Sequence, residues 1–463
     1  MRLKELRNKK ILILGLGQEG MSSFLFLRKL FPEMKIGLAD KLPLKQLNKE
    51  TRKKISADKD IDLHLGKNYL NALDQYQVII KSPGIPLFLP QLKKVKSKIT
   101  SQTKIFFENC PGRIIGITGT KGKSTTASLT YQILKEGGLD VSLVGNIGNP
   151  ALSLLLKARK KMIFVYELSS HQLYDLEKSP NIAVLLNIFR EHLDYYQNFE
   201  QYVQAKEKIT LFQTKEDYFI YNPSLDFPRR IAQKTKAQKL HFSLRDYHQP
   251  SCFLKNQAIF YRSNSQEEKI VETKAINLEG EFNLLNIMAA TTIGKLFNIP
   301  NRKIVKAIKK FKPLEHRLER IGTYREITFY NDSLSTIPEA TIKAIDALAD
   351  KVGTIILGGY ERNQNYNQLA RKILDNQIKT IILFPTTGER IWQTINKQKA
   401  KGDSLPKHFF TNNMEEAVHL AYKHTPKGEI CLLSPAAPSF NLFKDYKERG
   451  SLFKKFVETF AKS

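Results

Sequence analysis

Arg113–Thr126, RIIGITGTKGKSTT, is the stretch whose reading decides the fold of this chain. A short β-rich apolar run ends in Gly119-Thr120-Lys121-Gly122-Lys123-Ser124-Thr125, and the helix-compatible segment ASLTYQILKEGG follows. Strand, small-residue loop and helix in that order make a phosphate cradle. Small side chains let backbone N–H groups face the phosphates, and the helix N-terminus adds positive potential. In such a loop Lys123 reaches the β- and γ-phosphates and Ser124 ligates Mg2+. The spacing is a variant of the usual GxxxxGK pattern, because the position where the first glycine is expected is Ile117, with Gly116 and Gly119 on either side. A glycine- and lysine-rich surface turn is the plain alternative, but it leaves the flanking strand and helix unexplained. ATP is the expected nucleotide.

Working outward, 463 residues suffice for about three domains of ~150 residues each. Hydrophobic residues at 41% and aromatics at 10% describe an ordinary globular chain. No apolar run approaches the ~18 residues that a membrane span needs. The basic start MRLKELRNKK before ILILGLG resembles a leader, but its apolar part is short and Gly-Leu-Gly opens a motif, so it reads as mature structure. Cys110, Cys252 and Cys431 are scattered and lack a CxxC pair, which argues against a disulfide framework or a zinc site and for a reducing, cytoplasmic setting. A net charge of +29 fits either a nucleic-acid binder or a protein that attracts anionic small molecules. The lysines are spread over the whole chain without a basic block or an RNP-like aromatic signature. Solvated lysine-rich surface is therefore the simpler account, and no nucleic-acid partner is expected.

Residues 1–111 read as a Rossmann-like domain. A buried strand leads to Gly15-x-Gly17-x-x-Gly20 within GLGQEG, which includes Gln18 and Glu19. A helix follows, and the next strand, KIGLAD, ends in Asp40. These are the parts of a dinucleotide fingerprint, yet mononucleotide and sugar-nucleotide domains use the same turn, so the ligand stays open at this point. Ser82-Pro83-Gly84-Ile85 follows another strand and is placed to line the same crevice, although alone it reads as a tight turn.

Residues 112–313 carry the phosphate loop in a mostly parallel α/β arrangement. Gly145-Asn146-Ile147-Gly148 forms a turn-rich loop. KMIFVYELSSHQL runs a strand into Glu167 and Ser169, and NIAVLLNIFREHLDYY delivers His192 and Asp194 from a further strand end. A carboxylate at a strand end beside a phosphate loop suits Mg2+. FEQYVQAKEKI is helical, with Tyr202, Ala205 and Ile209 on one face and Lys206 beside it, where it looks like a surface lysine. Asn283 and Asn286 lie at the start of a long helix.

Residues 314–463 alternate strands and helices again, which indicates a second Rossmann-like domain at the C-terminal end. Thr336-Ile337-Pro338-Glu339 reads as a capping-box start with Thr336 as N-cap. The strand-end residues Asn331-Asp332-Ser333, Gly358–Arg362 and Ser434–Ala436 fall on one edge.

With these residues assembled, the chain resembles the Mur ligases over essentially its whole length, and among them the glutamate-adding type. GTKGKSTT is similar to the family's ATP loop, and SPGIP and GNIG to its UDP-sugar loops. ELSSHQL and the segment around His192 are similar to its metal-binding strand ends. Asn283 with Asn286, His316 with Arg317, and Asn331 to Ser333 are similar to its ATP and interdomain contacts. The resemblance implies an ATP-dependent ligase that adds glutamate to UDP-N-acetylmuramoyl-L-alanine through an acyl phosphate, in cytoplasmic peptidoglycan precursor synthesis. D-glutamate is favoured and L-glutamate is the alternative. The implied ATP contacts are Gly119 to Thr125, Asn283, Asn286, Arg317 and Asp332. The implied UDP-sugar contacts are Gly17, Gln18, Glu19, Gly20, Asp40, Ser82, Pro83, Gly84, Asn146, Ser169 and His192. Two Mg2+ ions are implied, held by Ser124, Glu167, His192 and a carbamylated Lys206. Catalysis is assigned to Lys123, Lys206, His192 and Asp332, with closure of the third domain over the second and a monomeric protein.

Two positions depart from the family's pattern. Leu334 stands where a lysine usually follows Asp-Ser, and Arg362 stands where a lysine usually follows the glycine pair. Arg362 supplies a bidentate clamp for the side-chain carboxylate of glutamate in place of a point charge, and Ser439, Phe440 and Tyr446 match the segment around the amino acid. A folate polyglutamate-type ligase would share the ATP loop and lack the sugar-nucleotide loops. A dehydrogenase would leave the phosphate loop idle, and a nucleic-acid binder would leave Glu167, His192 and Lys206 without work. Arg362→Ala is expected to raise the KM for glutamate about tenfold or more, as befits a lost charged hydrogen bond, and to leave that for ATP unchanged. Steady-state kinetics in both substrates decide it, and equal rises would exclude the clamp.

Overall fold

The computed structural model describes residues 1–145, 147–191, 195–263, 266–278, 280–348, 351–402 and 404–462. Three sheets organise them. The first holds β1 (Ile11–Leu14), β2 (Ile36–Asp40), β3 (Ile61–Leu65), β4 (Val78–Lys81) and β5 (Ile99–Thr100) in the order 3-2-1-4-5. All of its pairings are parallel. Every residue of β1 and β4 is buried, as expected of central strands with helices on both faces. The strand order reverses between β1 and β4, and that is where a doubly wound sheet opens its ligand crevice. The loops at that point are the glycine-rich turn and Ser82–Ile85.

The second sheet comprises β6 (Arg113–Thr118), β7 (Val141–Gly145), β8 (Ile163–Glu167), β9 (Ile182–Leu185), β10 (Tyr218–Tyr221), β11 (Gln238–Ser243), β12 (Ser251–Lys255), β13 (Ala258–Ser263) and β14 (Gln266–Glu272). Its order is 14-13-12-11-10-9-6-8-7. β6 lies between β8 and β9, in parallel register with Ile117 opposite Glu167 and Thr118 opposite Leu185. The phosphate loop, the ELSS turn and the segment after Leu185 therefore emerge side by side. The third sheet comprises β15 (Glu319–Tyr324), β16 (Ile327–Asn331), β17 (Val352–Gly358), β18 (Thr380–Phe384), β19 (Lys407–Phe410) and β20 (Ile430–Leu433), ordered 15-16-20-17-18-19. Only β15 is antiparallel to its neighbour. Asp332, Gly359 and Ser434 follow adjacent parallel strands.

The chain divides into two compact units. One spans Met1–Ile270 with Asn286–Ala307, and the other spans Val271–Leu285 with Ile308–Ser463. The first two sheets thus share a unit up to β14, and one continuous hydrophobic core joins Phe24 and Phe106 to Phe164, Tyr166 and Tyr202. The unit boundary crosses the helix Glu281–Leu296, so Asn283 and Asn286, which share that helix, fall on opposite sides of it. The helix after β16 runs Pro338–Leu348, so proline occupies the first helical position and Ile337, not Thr336, is the residue before it. Thr336 therefore lies one residue outside the N-cap position expected of it, because the fixed φ of proline suits the first position of a helix. No described helix is long and apolar enough to cross a membrane. The three cysteines are free.

Candidate active site

The phosphate loop takes its shape from Gly122, whose φ of +88° caps the helix Lys123–Glu136. A Cβ there would also meet Asn286 Oδ1 at 2.3 Å, so the close approach of Asn286 requires glycine. Asn286 Oδ1 in turn accepts from Thr126 Oγ1 at 3.2 Å. The other side of the loop is clamped by Asn187, which carries no local sequence signal. Its Oδ1 accepts from Lys121 N at 2.9 Å, its Nδ2 donates to Lys121 O at 3.1 Å, and its own carbonyl accepts from Thr120 N. Thr120 Oγ1 lies 2.9 Å from the Tyr202 hydroxyl and accepts from Phe189 N. Such a clamp holds the backbone of the loop in place before any ligand arrives.

Two ammonium groups converge on one carbonyl of this loop. Lys123 Nζ donates to Gly119 O and Thr120 O, each at 2.9 Å, and Lys206 Nζ donates to the same Gly119 O at 2.8 Å and to Thr118 Oγ1 at 3.3 Å. Lys206 is 1% exposed, which corrects the reading of it as a surface lysine: the helix Phe199–Leu211 turns it inward along with Tyr202 and Ala205. Burial holds its pKa well below the ordinary lysine value, and the charge of Lys123 pushes the same way. A third cation, Lys121, pairs with Glu191 at 2.9 Å.

Ser124 and Glu167 are both buried, and Glu167 Oε2 is shut off from water with no hydrogen-bond partner. A buried carboxylate oxygen left over beside a phosphate loop fits a hard cation that takes oxygen ligands. Among the described residues no cluster of three or more His, Cys, Asp or Glu side chains is set to hold a metal. His192, Asp194 and Asn146 lie outside the described residues.

At the crevice of the first sheet, Gly20 lets the helix Gln18–Leu30 approach the preceding turn, since a Cβ there would meet Gly15 O at 1.8 Å. Ser82 Oγ donates to Gly15 O at 2.8 Å and joins the two crevice loops. Asp40 spends both oxygens on backbone, accepting from Leu16 N at 2.7 Å and Leu42 N at 2.9 Å, so its carboxylate shapes the glycine-rich turn. Glu19 Oε1 accepts from Gln172 Nε2 at 2.6 Å, so this side chain is turned to the second sheet's ELSSHQL segment. Ser169 caps the short helix there in a reciprocal capping box with Gln172. A groove of about 550 Å3 opens beside Gly17 and Gln18, with Met21, Asn48, Thr51 and Pro150 among its walls.

Within the C-terminal unit, Arg317 is presented between two left-handed residues, His316 at φ +63° and Leu318 at φ +46°. A non-glycine residue held there costs on the order of 1–3 kcal/mol and persists only where its surroundings over-determine it. Asp332 Oδ1 accepts from Leu318 N, Leu334 N donates to His316 O, and Asn331 Nδ2 lies 2.9 Å from His316 Nδ1. Asp332 Oδ2 also accepts from Ser335 Oγ and Ser434 Oγ, so its carboxylate ties three loops of its own unit together. Arg449, fully buried and without a motif to mark it in the sequence, donates to Ser333 Oγ, Ser333 O and Ala437 O. Ser333 Oγ donates to Tyr446 O at 2.8 Å. Tyr360 N donates to Pro438 O, and the Arg362 guanidinium lies 5.9 Å from the centre of the exposed Phe440 ring. Arg362, Ser439, Phe440 and Tyr446 are thereby placed around the loops after β17 and β20.

The chain matches known proteins along its whole length. Residues 9–101 match the family model described as Mur ligase MurD-like, N-terminal domain, residues 117–294 the Mur ligase middle domain, and residues 316–437 the Mur ligase glutamate ligase domain. A UDP-N-acetylmuramoylalanine--D-glutamate ligase of Acetivibrio thermocellus is 32% identical over 98% of this chain and 97% of its own. One of Bacillus cytotoxicus is 34% identical over 96% and 97%. The solved structure of UDP-N-acetylmuramate-alanine ligase MurC of Thermotoga maritima superposes with a TM-score of 0.61 at 15% identity, covering 98% of this chain and 100% of that one. MurF of Acinetobacter baumannii gives 0.62 at 16%, covering 96% and 93%. At such identities the structural likeness concerns the three-domain α/β fold.

Lys123→Ala is expected to lower ATP-dependent phosphate release about 10²–10³-fold, the usual loss when a charge-stabilising donor is removed, while sugar-nucleotide binding measured by calorimetry is unchanged. Retained full turnover would contradict the role given to Lys123.

Proposed function

The chain belongs to the Mur ligase family, and from that membership we propose that it joins glutamate to UDP-N-acetylmuramoyl-L-alanine at the expense of ATP, in the building of peptidoglycan precursors. The observation that carries this reading is the convergence of Lys123 and Lys206 on Gly119 O, beside a buried Ser124 and the unsatisfied Glu167 oxygen. Cationic donors and a carboxylate at one strand edge suit transfer of a phosphoryl group to an acid.

The alanyl carboxylate oxygen attacks the γ-phosphorus of ATP, the bond to the β,γ-bridging oxygen breaks, and an acyl phosphate and ADP result. Phosphoryl transfer leaves a protein little to supply beyond position and charge. Lys123 exchanges its two loop carbonyls for phosphate oxygens, and the loop that Asn187 holds in shape surrounds the charge that develops. The amine of glutamate then attacks the acyl carbon, and the tetrahedral intermediate collapses to the amide with loss of phosphate and a proton. Arg362 and the loop around Ser439 hold the incoming amino acid. The names of the relatives favour the D isomer. In this reading Gly17, Gln18, Gly20 and Ser82–Gly84 receive the uridine diphosphate sugar, with Asn146 and Ser169 contributing from the second sheet. Asn283, Asn286, Arg317 and Asp332 serve the nucleotide. The protein works as a cytoplasmic monomer.

Ser124 and Glu167 would hold one Mg2+, and His192 with a Lys206 carbamate a second. Such ions neutralise phosphate charge. Lys206 suits carbamylation, because burial and the charge of Lys123 favour the uncharged amine, whose lone pair is the nucleophile. The nitrogen lone pair of the uncharged amine bonds to the carbon of CO2, one N–H proton leaves, and an anionic carbamate stands in a loop already crowded with lysines.

ADP release measured with UDP-N-acetylmuramoyl-L-alanine and a panel of amino acids is expected to require the sugar nucleotide and to be fastest with D-glutamate. ADP formed without the muramoyl substrate would sink the ligase reading. Lys206→Ala is expected to lose at least ~10-fold in rate, with partial recovery on adding acetate or bicarbonate. Undiminished activity would remove the carbamate.

A further inference from the structure

Between the first two sheets lies a charged cluster that the phosphate-transfer chemistry does not use. Lys81, the last residue of β4, is 3% exposed, and its ammonium group donates to Ser82 O at 3.1 Å and Ile85 O at 2.9 Å, the two ends of the crevice turn. Glu19 and Asp175 are the carboxylates whose charge acts on it. Each has one oxygen, Glu19 Oε2 and Asp175 Oδ2, that is closed off from water and lacks a hydrogen-bond partner. Burial disfavours charge on all three groups, lowering the pKa of Lys81 and raising those of Glu19 and Asp175, and the attraction between the amine and the two carboxylates opposes it.

The partners of these residues are the loops already assigned to the sugar nucleotide. Gln172 Nε2 donates to Glu19 Oε1, while Gln172 Oε1 accepts from Ser169 N and Oγ, so the amide is oriented by Glu19 on one side and by the ELSS turn on the other. Gln102 Nε2 donates to Glu19 O, and Gln102 Oε1 accepts from Ala151 N, which ties the same helix turn to the segment after Gly145–Pro150. From the second sheet, the Tyr195 hydroxyl donates to Pro83 O at 3.0 Å, with Ile85 O at 3.3 Å.

We propose that Lys81 is a positioning residue for the sugar-nucleotide site: its side-chain amine, buried under Ser82–Ile85, fixes the SPGIP turn, which Ser82 Oγ joins to the glycine-rich turn. The proposal rests on the assignment of those loops to the UDP-sugar. Lys81 touches no reacting atom. Its effect is on the spacing of groups that grip one substrate, so it acts on affinity for that substrate and leaves the ATP loop alone.

The test uses the full chain, with UDP-N-acetylmuramoyl-L-alanine binding followed by calorimetry and both KM values by ADP release. Lys81→Met, which keeps the length and removes the charge, is expected to raise the KM and Kd for the sugar nucleotide tenfold or more with the ATP KM within twofold. Lys81→Arg is expected to recover part of the loss. Lys81→Gln, which keeps an N–H donor and removes the charge, is the second variant and decides the matter if Lys81→Met does not fold; a severalfold rise confined to the sugar nucleotide is expected. Unchanged sugar-nucleotide constants, or equal rises for both substrates, would overturn the positioning role. If the wild-type chain itself fails to bind the sugar nucleotide, the assignment of the loops falls, and the proposal with it.

Discussion

The carbonyl of Gly119 receives two lysine ammonium groups within hydrogen-bond distance, and much of the active site follows from that crowding. Two cations cannot share one neutral acceptor in a buried setting without a cost, and the pressure falls on Lys206, which has no solvent to retreat to. Lys123 sits at the head of a helix, where it can swing outward to a polyphosphate. Lys206 cannot, and burial with the neighbouring Lys123 charge holds its pKa well below the ordinary lysine value. The loop thus holds a positive surplus, offset in part by Glu191 on Lys121, that a triphosphate would neutralise.

Strand order makes this crowding useful. β6 lies between β8 and β9, so that the loop, Glu167 and the segment bearing Asn187 leave the sheet together. The reversal between β1 and β4 opens a second crevice in the same compact unit, bridged to the first by Glu19 with Gln172 and by Tyr195 with Pro83. The glycine-rich crevice and the phosphate loop therefore share one core. The C-terminal unit uses another device: a left-handed pair around Arg317, locked by Asn331 and Asp332, and a buried Arg449 that fastens Ser333 to Ala437.

The features legible in the sequence are those carried by neighbours in the chain. RIIGITGTKGKSTT announces strand, loop and helix because all three lie within a few residues, and GLGQEG and SPGIP do the same for the first crevice. What stays hidden depends on distance. Helical spacing puts Lys206 beside an apolar face but cannot say that the face is covered by the phosphate loop. Glu19 reads as a substrate contact, and nothing local announces that its carboxylate also accepts from Gln172, 153 positions away. Asp40 is legible as a strand-end acid but not as an acceptor for Leu16 N. Arg449 follows no local signal at all, since its partners are loop carbonyls and a serine hydroxyl.

The central claim is that ATP activates a carboxyl group of the sugar nucleotide as an acyl phosphate. Oxygen-18 placed in the alanyl carboxylate of UDP-N-acetylmuramoyl-L-alanine tests it most directly, with the inorganic phosphate released during turnover analysed by mass spectrometry. Transfer of a single labelled oxygen to each phosphate is expected, whereas phosphate free of label would contradict the acyl-phosphate route.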